Sequence, residues 1–383
     1  MKILADANIV DVSALYEQHG ELTLMSGRDM KAVDVSAVDA LIVRSITQVN
    51  EALLKDSKVQ FVATATSGTD HFDWPYLRRE GIEGVAAPGS NANAVVEYCL
   101  ASMAELIVRG QLSLTQKTVG IVGFGNVGSR LYRALQHLGI PCKVCDPFLQ
   151  KEGGDFEFVS LEEALNCPII TLHTPFTKQG PYPTYHMLNA KRINALAPGT
   201  LLINAGRGGL VDGAALQTRL SLQNDITTII DCWENEPLIA PQLLSLVDIG
   251  SPHIAGYSIE AKRSASARNY ASFLQHFGLQ DPKGGATEVE ELKVVKMAAT
   301  ENIEAMDLLA LILQSVFPVK EIDARLRASD VNKGSEVFDS IRKDISQRRE
   351  FTHFKLDLSQ WSEEQCSEGL LAWLRALGFT VEV

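Results

Sequence analysis

His253 stands in Pro252-His253-Ile254-Ala255-Gly256, directly after the apolar run that ends at Gly250. An imidazole titrates nearest neutral pH of all side chains, so it suits a group that takes and returns a proton. Glu236, in Asp231-Cys232-Trp233-Glu234-Asn235-Glu236-Pro237, is placed to orient that ring and to stabilise its protonated form. Arg207, in Asn204-Ala205-Gly206-Arg207-Gly208, offers a planar fork that matches a carboxylate and the reacting oxygen beside it. The chemistry common to the three is oxidation of a hydroxy acid. It needs a base for the hydroxyl proton, a clamp for the carboxylate and a separate acceptor for the hydride.

The acceptor has a candidate site in Gly123-Phe124-Gly125-Asn126-Val127-Gly128. This G-x-G-x-x-G follows the apolar run 118–122 and opens a helical stretch to about Leu138. In that setting Gly123 makes the turn, Gly125 lets the backbone meet a pyrophosphate, and Gly128 packs helix on strand. Asn126 and Val127 stand at the helix start, whose free N–H groups attract phosphate. Asp146 ends the next run, Lys143-Val144-Cys145, at about the spacing of a carboxylate that binds ribose hydroxyls. A carboxylate there repels a 2′-phosphate, so NAD is expected over NADP. Asp231 is better placed for the nicotinamide end. His173, in Leu172-His173-Thr174-Pro175, also follows an apolar run and is the rival base.

These residues need elements that bring them to one edge. Strand-like runs at 2–5, 40–43, 61–64 and 84–86 alternate with helical or loop segments, which predicts a parallel sheet with crossovers. A helix from Asn91 or Asn93 to about Val108 leads to a second series, at 118–122, 142–145, 169–172, 201–204, 227–230 and 248–250. Ligands bind beyond the carboxyl ends of such strands, so the glycine loop and the three catalytic segments converge there. A helix over about 259–277 could return the chain to the first sheet. The fold class is then α/β. It has a flavodoxin-like substrate domain (1–95 and 258–285) and a Rossmann NAD domain (96–257), both doubly wound, plus a small α+β domain (286–383). Asp281-Pro282-Lys283-Gly284-Gly285 marks the linker to the last domain. That domain shows helical patterns at 300–314 and 362–377 and strand alternation at 354–358 and 379–383. Its basic pairs, Arg342-Lys343 and Arg348-Arg349, are expected on a solvated helix face, with reach into an active site as the alternative.

Composition narrows the rest. The chain of 383 residues is 46% hydrophobic and 21% charged, as soluble globular proteins are. Its net charge of −12 argues against a nucleic-acid partner. Asp6 interrupts any leader-like apolar run, and the most apolar stretch, 306–317, is too short to span a bilayer, so a cytoplasmic protein with no membrane partner is expected. Cys142 and Cys145 lie three apart in a strand and so face opposite sides, which predicts buried thiols and no redox pair or metal site.

Over roughly 1–285 the chain resembles the D-2-hydroxyacid dehydrogenase family, through the glycine loop, Asp146 and the three catalytic segments. The resemblance implies that Arg207, Glu236 and His253 form the family's catalytic set and that Asp231 contacts the nicotinamide end. It also implies that Thr174, Ala205 and Gly256 are cofactor-contacting loop positions. The loops Val43-Arg44-Ser45-Ile46-Thr47 and Ala65-Thr66-Ser67-Gly68-Thr69-Asp70-His71, the segment Gly180-Pro181-Tyr182-Pro183-Thr184-Tyr185-His186, Tyr257 and the C-terminal module look most like a branch acting on a small phosphorylated hydroxy acid. That likeness implies a homodimer joined through the C-terminal module. Ser45, Thr66 and Tyr257 would hydrogen-bond such a substrate, and Arg44 would meet an anionic group. Phosphoglycerate dehydrogenases usually carry a Gly-Arg-x-Gly-x-Gly style loop where this chain has Ala65-Thr66-Ser67-Gly68. Turnover of 3-phosphoglycerate or another D-2-hydroxyacid stays open, as does a non-catalytic protein that senses NADH.

Overall fold

Runs of four apolar residues bounded by turns are too short for ordinary helices, and buried on both faces they form parallel sheets. The computed structural model describes residues 1–153, 156–281, 290–298 and 303–383. The expected linker at 282–285 and the expected helix start at Thr300 lie outside the described residues. The chain divides into two compact units, Met1–Asn91 with Ser258–Glu290, and Ala92–Tyr257 with Glu291–Val383.

The first unit holds β1 (Lys2–Asp6), β2 (Glu21–Met25), β3 (Ala40–Val43), β4 (Phe61–Thr64) and β5 (Glu83–Val85). They form a parallel sheet in the order β2-β1-β3-β4-β5, the flavodoxin-like winding. Every residue of β3 and β4 is buried, which is why both were legible as apolar runs. β2 was not anticipated: it is an edge strand, largely exposed, whose Glu21 and Thr23 break the run. The Ile259–Phe277 helix belongs to this unit, where Phe273 packs edge-on against Tyr16 and Phe61, with ring centroids 5.1 and 5.9 Å apart.

The second unit holds β6 (Val119–Val122), β7 (Cys142–Cys145), β8 (Ile169–Leu172), β9 (Leu201–Asn204), β10 (Thr227–Ile230) and β11 (Ile249–Gly250). All are parallel, in the order β11-β10-β9-β8-β6-β7. The winding reverses at β6, the strand that carries the glycine loop, and such a switch point is where open α/β sheets bind ligands. The C-terminal segment adds β12 (Lys293–Lys296), β13 (Phe354–Asp357) and β14 (Thr380–Glu382), again parallel, with β13 central. β12 escaped the sequence reading because lysines flank its two valines and three of its four residues are exposed. The same core runs through both parts of the unit: Leu308, Leu309, Ile312 and Leu313 of the Ala305–Val316 helix pack with the Ala92–Val108 helix. Asp323 accepts the Gly250 N–H at 2.8 Å, and Arg327 donates to the Leu244 and Val247 carbonyls at 2.7 Å each. Among the described residues no helix is long and apolar enough to cross a membrane. Cys142 and Cys145 are free thiols in β7, and burial pushes both up to about 11.

Candidate active site

The loop after β6 turns at Gly123, whose φ of 94° lies in the left-handed region. A Cβ there would stand 2.7 Å from the His173 carbonyl oxygen, and one on Gly128 would stand 1.9 Å from the Gly123 carbonyl oxygen. Gly125 differs: a Cβ there meets nothing within 4 Å. Its missing side chain therefore keeps the approach open from outside and does not serve internal packing. Asn126 and Val127 begin the Asn126–His137 helix, so their N–H groups have no intrahelical acceptor. Asp146, just past β7, accepts the Phe124 N–H at 2.9 Å and caps the Pro147–Glu152 helix through the Phe148 and Leu149 N–H groups, both at 3.2 Å. Thr174 Cγ2 lies 3.0 Å from where a Gly123 Cβ would be, and its Oγ1 is buried with no hydrogen-bond partner among the described residues. A buried hydroxyl without a protein partner is left to bond a bound molecule. Open backbone at Gly125, donors at a helix start, a carboxylate after the next strand and that hydroxyl together fit a dinucleotide.

β10 hands the chain to Asp231, which is fully buried. Its Oδ1 accepts from Ser251 Oγ at 2.6 Å and the Ile254 N–H at 2.7 Å, and its Oδ2 from the Ala255 N–H at 2.9 Å. Its carbonyl accepts the His253 N–H at 2.8 Å. Burial pushes the carboxyl up, while the His253 charge and these donors pull it back. Tyr98 Oη lies 2.6 Å from Ser251 Oγ, and because Ser251 donates to Asp231, Tyr98 donates to Ser251. So the His253 turn is pinned from beneath. It needs pinning: His253 sits at φ 53°, a region that costs a residue with a side chain about 1–3 kcal/mol.

The His253 ring is hydrogen-bonded through Nδ1 to Glu236 Oε1. A carboxylate only accepts, so Nδ1 carries a proton and Nε2 is the nitrogen left to take another. Glu236 Oε2 accepts the Trp233 N–H at 3.1 Å. Burial works to raise this carboxyl, but the His253 charge and hydrogen bond, the Trp233 amide and Arg342 together hold it below the usual carboxylate range. Arg207 follows β9 and is half-buried, its Nη1 donating to the Gly206 carbonyl at 2.9 Å. Asn204 Nδ2 donates to the carbonyls of Arg207 at 3.0 Å and Cys232 at 3.3 Å, which ties the arginine loop to the loop of Glu236. The two loops touch at Gly208, where a Cβ would stand 1.9 Å from the Trp233 carbonyl oxygen. The structure thus brings Ala205, Arg207, Asp231, Glu236, His253, Gly256 and Tyr257 onto loops at the carboxyl ends of the neighbouring strands β9, β10 and β11.

The first unit carries Arg44, Ser45 and Thr66 on the loops after β3 and β4. Arg44 Nε pairs with the buried Asp6 at 2.8 Å, and Ser45 is exposed. Thr66 Oγ1 donates to the Gly68 carbonyl at 2.9 Å and lies 2.8 Å from Thr64 Oγ1, itself 3.0 Å from His71 Nε2. Each hydroxyl has one proton, so the chain runs from His71 through Thr64 and Thr66 to Gly68. Burial lowers the His71 pKa to about 4, against the pull of Asp70, and the ring stays neutral.

His173, the rival base, lies with Nε2 at 2.8 Å from Thr171 Oγ1, and burial lowers its pKa to about 4. Such an imidazole binds protons poorly at neutral pH. The expectation of a solvated basic face in the last domain needs correction. Lys343 is exposed, but Arg342 donates through Nε and Nη2 to the carbonyls of Pro252 and His253, both at 3.2 Å. The Arg348 side chain is 6% exposed and donates to the carbonyls of Ala255 at 2.8 Å, Tyr257 at 3.3 Å and Ala94 at 2.8 Å. Arg348 lies past the end of the Ser335–Asp344 helix, and its counter-ion Glu97 is 251 residues away, so no local charge pattern marks the pair.

Residues 103–255 match the model of the NAD-binding domain of D-isomer specific 2-hydroxyacid dehydrogenases. The erythronate-4-phosphate dehydrogenase of Chromohalobacter salexigens is 41% identical over 388 aligned positions, covering 100% of this chain and 99% of that one. The chain belongs to the erythronate-4-phosphate dehydrogenase family. The family's protein from Escherichia coli O1:K1 is 40% identical over 353 positions, covering 92% of this chain and 93% of its own. Two solved structures share the fold. The NAD+-bound 3-phosphoglycerate dehydrogenase of Entamoeba histolytica has a TM-score of 0.63 at 24% identity, covering 73% of this chain and 95% of that one. The D-lactate dehydrogenase of Aquifex aeolicus, complexed with NAD and lactic acid, has a TM-score of 0.60 at 22% identity, covering 73% and 96%. As a member of the erythronate-4-phosphate dehydrogenase family, the chain is an NAD-dependent D-2-hydroxyacid dehydrogenase with NAD as its cofactor.

Several residues that build this dehydrogenase's site were not visible in the sequence. Tyr98 and Ser251 support Asp231 from elements 153 residues apart. His186 links the Arg207 and Glu236 loops: its N–H donates to the Gly209 carbonyl at 2.8 Å and its Nε2 lies 2.6 Å from Glu234 Oε1, whose other oxygen accepts the Gly213 N–H at 3.0 Å. The only signal in the sequence was the likeness of the His186 segment to the family.

Proposed function

We propose that this dehydrogenase oxidises 4-phospho-D-erythronate to (R)-3-hydroxy-2-oxo-4-phosphooxybutanoate with NAD, in pyridoxal 5′-phosphate (vitamin B6) biosynthesis. Full-length identity of 41% to a protein named for that substrate supports the choice of acid. One observation carries the chemistry: His253 is bound to Glu236 through Nδ1, which leaves Nε2 to work on a loop beside that of Arg207.

In this reading the Arg207 fork holds the substrate carboxylate and the oxygen on C2. His253 Nε2 takes the hydroxyl proton as the C2–H bond breaks, and the carbonyl forms from the O–H electron pair. Bound NAD supplies the hydride acceptor. Glu236 holds the ring in its working tautomer and stabilises the imidazolium that results. Gly123, Gly125, Asn126, Val127 and Gly128 take the pyrophosphate and Asp146 the ribose, with Thr174, Ala205, Asp231 and Gly256 completing the cofactor contacts. Ser45, Thr66 and Tyr257 hydrogen-bond the substrate, and Arg44 meets an anionic group while its Nε stays on Asp6.

The reading includes a cytoplasmic homodimer joined through residues 286–383. Six free cysteines support a reducing compartment, and Leu292 and Val294, 40% and 52% exposed at the edge strand β12, support an interface. The test of substrate is kcat/KM for NAD reduction with 4-phospho-D-erythronate and with 3-phosphoglycerate, side by side. The phosphoerythronate is expected to be preferred. Preference for phosphoglycerate would overturn the assignment, and tight NADH binding without turnover of either acid would point to a sensor.

A further inference from the structure

We infer that the C-terminal segment sets the reactive geometry of the base, with Arg342 and Arg348 acting as positioning residues through the backbone of the 252–257 turn. The inference rests on His253 being the base. It starts from the two peptide planes that flank His253. In the first, the His253 N–H goes to the Asp231 carbonyl and the Pro252 carbonyl accepts from Arg342 Nε. In the second, the Ile254 N–H goes to Asp231 Oδ1 and the His253 carbonyl accepts from Arg342 Nη2. Each plane is thus held at both ends, once from the sheet and once from the C-terminal segment. The torsions φ and ψ of His253 are the rotations between those planes, so fixing both planes fixes the direction of the Cα–Cβ bond, and the hydrogen bond to Glu236 then sets the ring. The backbone there is left-handed, at φ 53°, and relaxes if one set of anchors is lost.

Arg348 extends the hold down the turn through the carbonyls of Ala255 and Tyr257. Neither arm is loose. The Arg342 guanidinium lies 5.1 Å from the Phe338 ring centroid and that of Arg348 3.9 Å from the Phe317 ring centroid. Arg348 also pairs with Glu97 at 3.4 Å, and the other Glu97 oxygen accepts the Phe351 N–H at 2.7 Å. A fork spans two carbonyls in a fixed geometry, whereas a lysine ammonium reproduces only part of that hold. The segment beyond Glu290 is then part of the catalytic apparatus as well as a module of assembly.

The test uses the full-length enzyme, with 4-phospho-D-erythronate and NAD, in Arg342→Ala, Arg342→Lys and His253→Asn. Arg342 is half-buried, and Glu236, whose carboxyl it helps hold down, keeps its His253 and Trp233 partners in the variant; Arg348 is tested as Glu97→Gln/Arg348→Met, so that the buried Glu97 loses its charge along with its counter-ion. Arg342→Ala is expected to lower kcat by about 10- to 100-fold, with the melting temperature and the KM for NAD close to wild type. Arg342→Lys should recover part of the loss. A kcat within about twofold of wild type in Arg342→Ala overturns the inference. So does a loss that follows a collapse in melting temperature and is not relieved by lysine. An active His253→Asn would sink the assignment of the base instead, whereas an inactive His253→Asn beside a wild-type Arg342→Ala sinks only the role of the arginines.

Discussion

His253 has one nitrogen committed and one free to act, and the commitment is to an anion. Replacing it with asparagine keeps a polar side chain that tolerates the left-handed backbone but removes the proposed base. The expected outcome is a fall in kcat of at least about 10²-fold, with NADH binding, read by fluorescence, preserved. Glu236→Gln keeps the size and loses the charge that stabilises the imidazolium. Its kcat should fall by less than that of His253→Asn, with the KM for NAD little altered. These residues were legible because each follows an apolar strand and carries side-chain chemistry of its own. Tyr98 and Ser251 were not, and the reach of Arg342 and Arg348 stood only as the alternative to a solvated face, because all four act through other groups and meet them only in the folded chain.

At the scale of elements, the glycines of the β6 loop do different work, and substitution separates them. Gly128→Ala drives a Cβ to 1.9 Å from the Gly123 carbonyl oxygen, so the helix must shift off the strand. The expected cost is about 1–3 kcal/mol, seen as a lower melting temperature along with weaker NAD binding. Gly125→Ala places its methyl in open space at φ −73°, so the melting temperature should hold while the KM for NAD rises. Equal effects of the two substitutions on stability would contradict this division. The strands beside the site could be read from sequence because central parallel strands are buried throughout and mostly apolar, as β6, β8 and β9 are. Edge strands β2 and β12 lacked that signal, since most of each faces solvent and polar residues interrupt it.

For the molecule as a whole, two neutral imidazoles couple stability to pH. His71 and His173 are both held at about 4, against an ordinary value of 6.5. Between those values the unfolded chain binds more protons than the folded one, so this contribution is complete above pH 6.5 and is lost as pH falls toward 4. Melting temperature should decline over that window, and His71→Asn should flatten part of the decline. A mass measurement on the intact protein tests the dimer: a monomer would refute the proposed role of residues 286–383. The C-terminal change in texture was visible in sequence, but its packing on the Ala92–Val108 helix was not, since long-range packing leaves no periodic mark of its own. The proposed role of His253 as base in the NAD-linked oxidation of a phosphorylated hydroxy acid stands or falls on NADH absorbance followed with 4-phospho-D-erythronate, in wild type and His253→Asn together. Steady NADH formation by the wild type and near-complete loss in the variant, which still binds NADH, is the expected result; turnover that survives in the variant would refute that role.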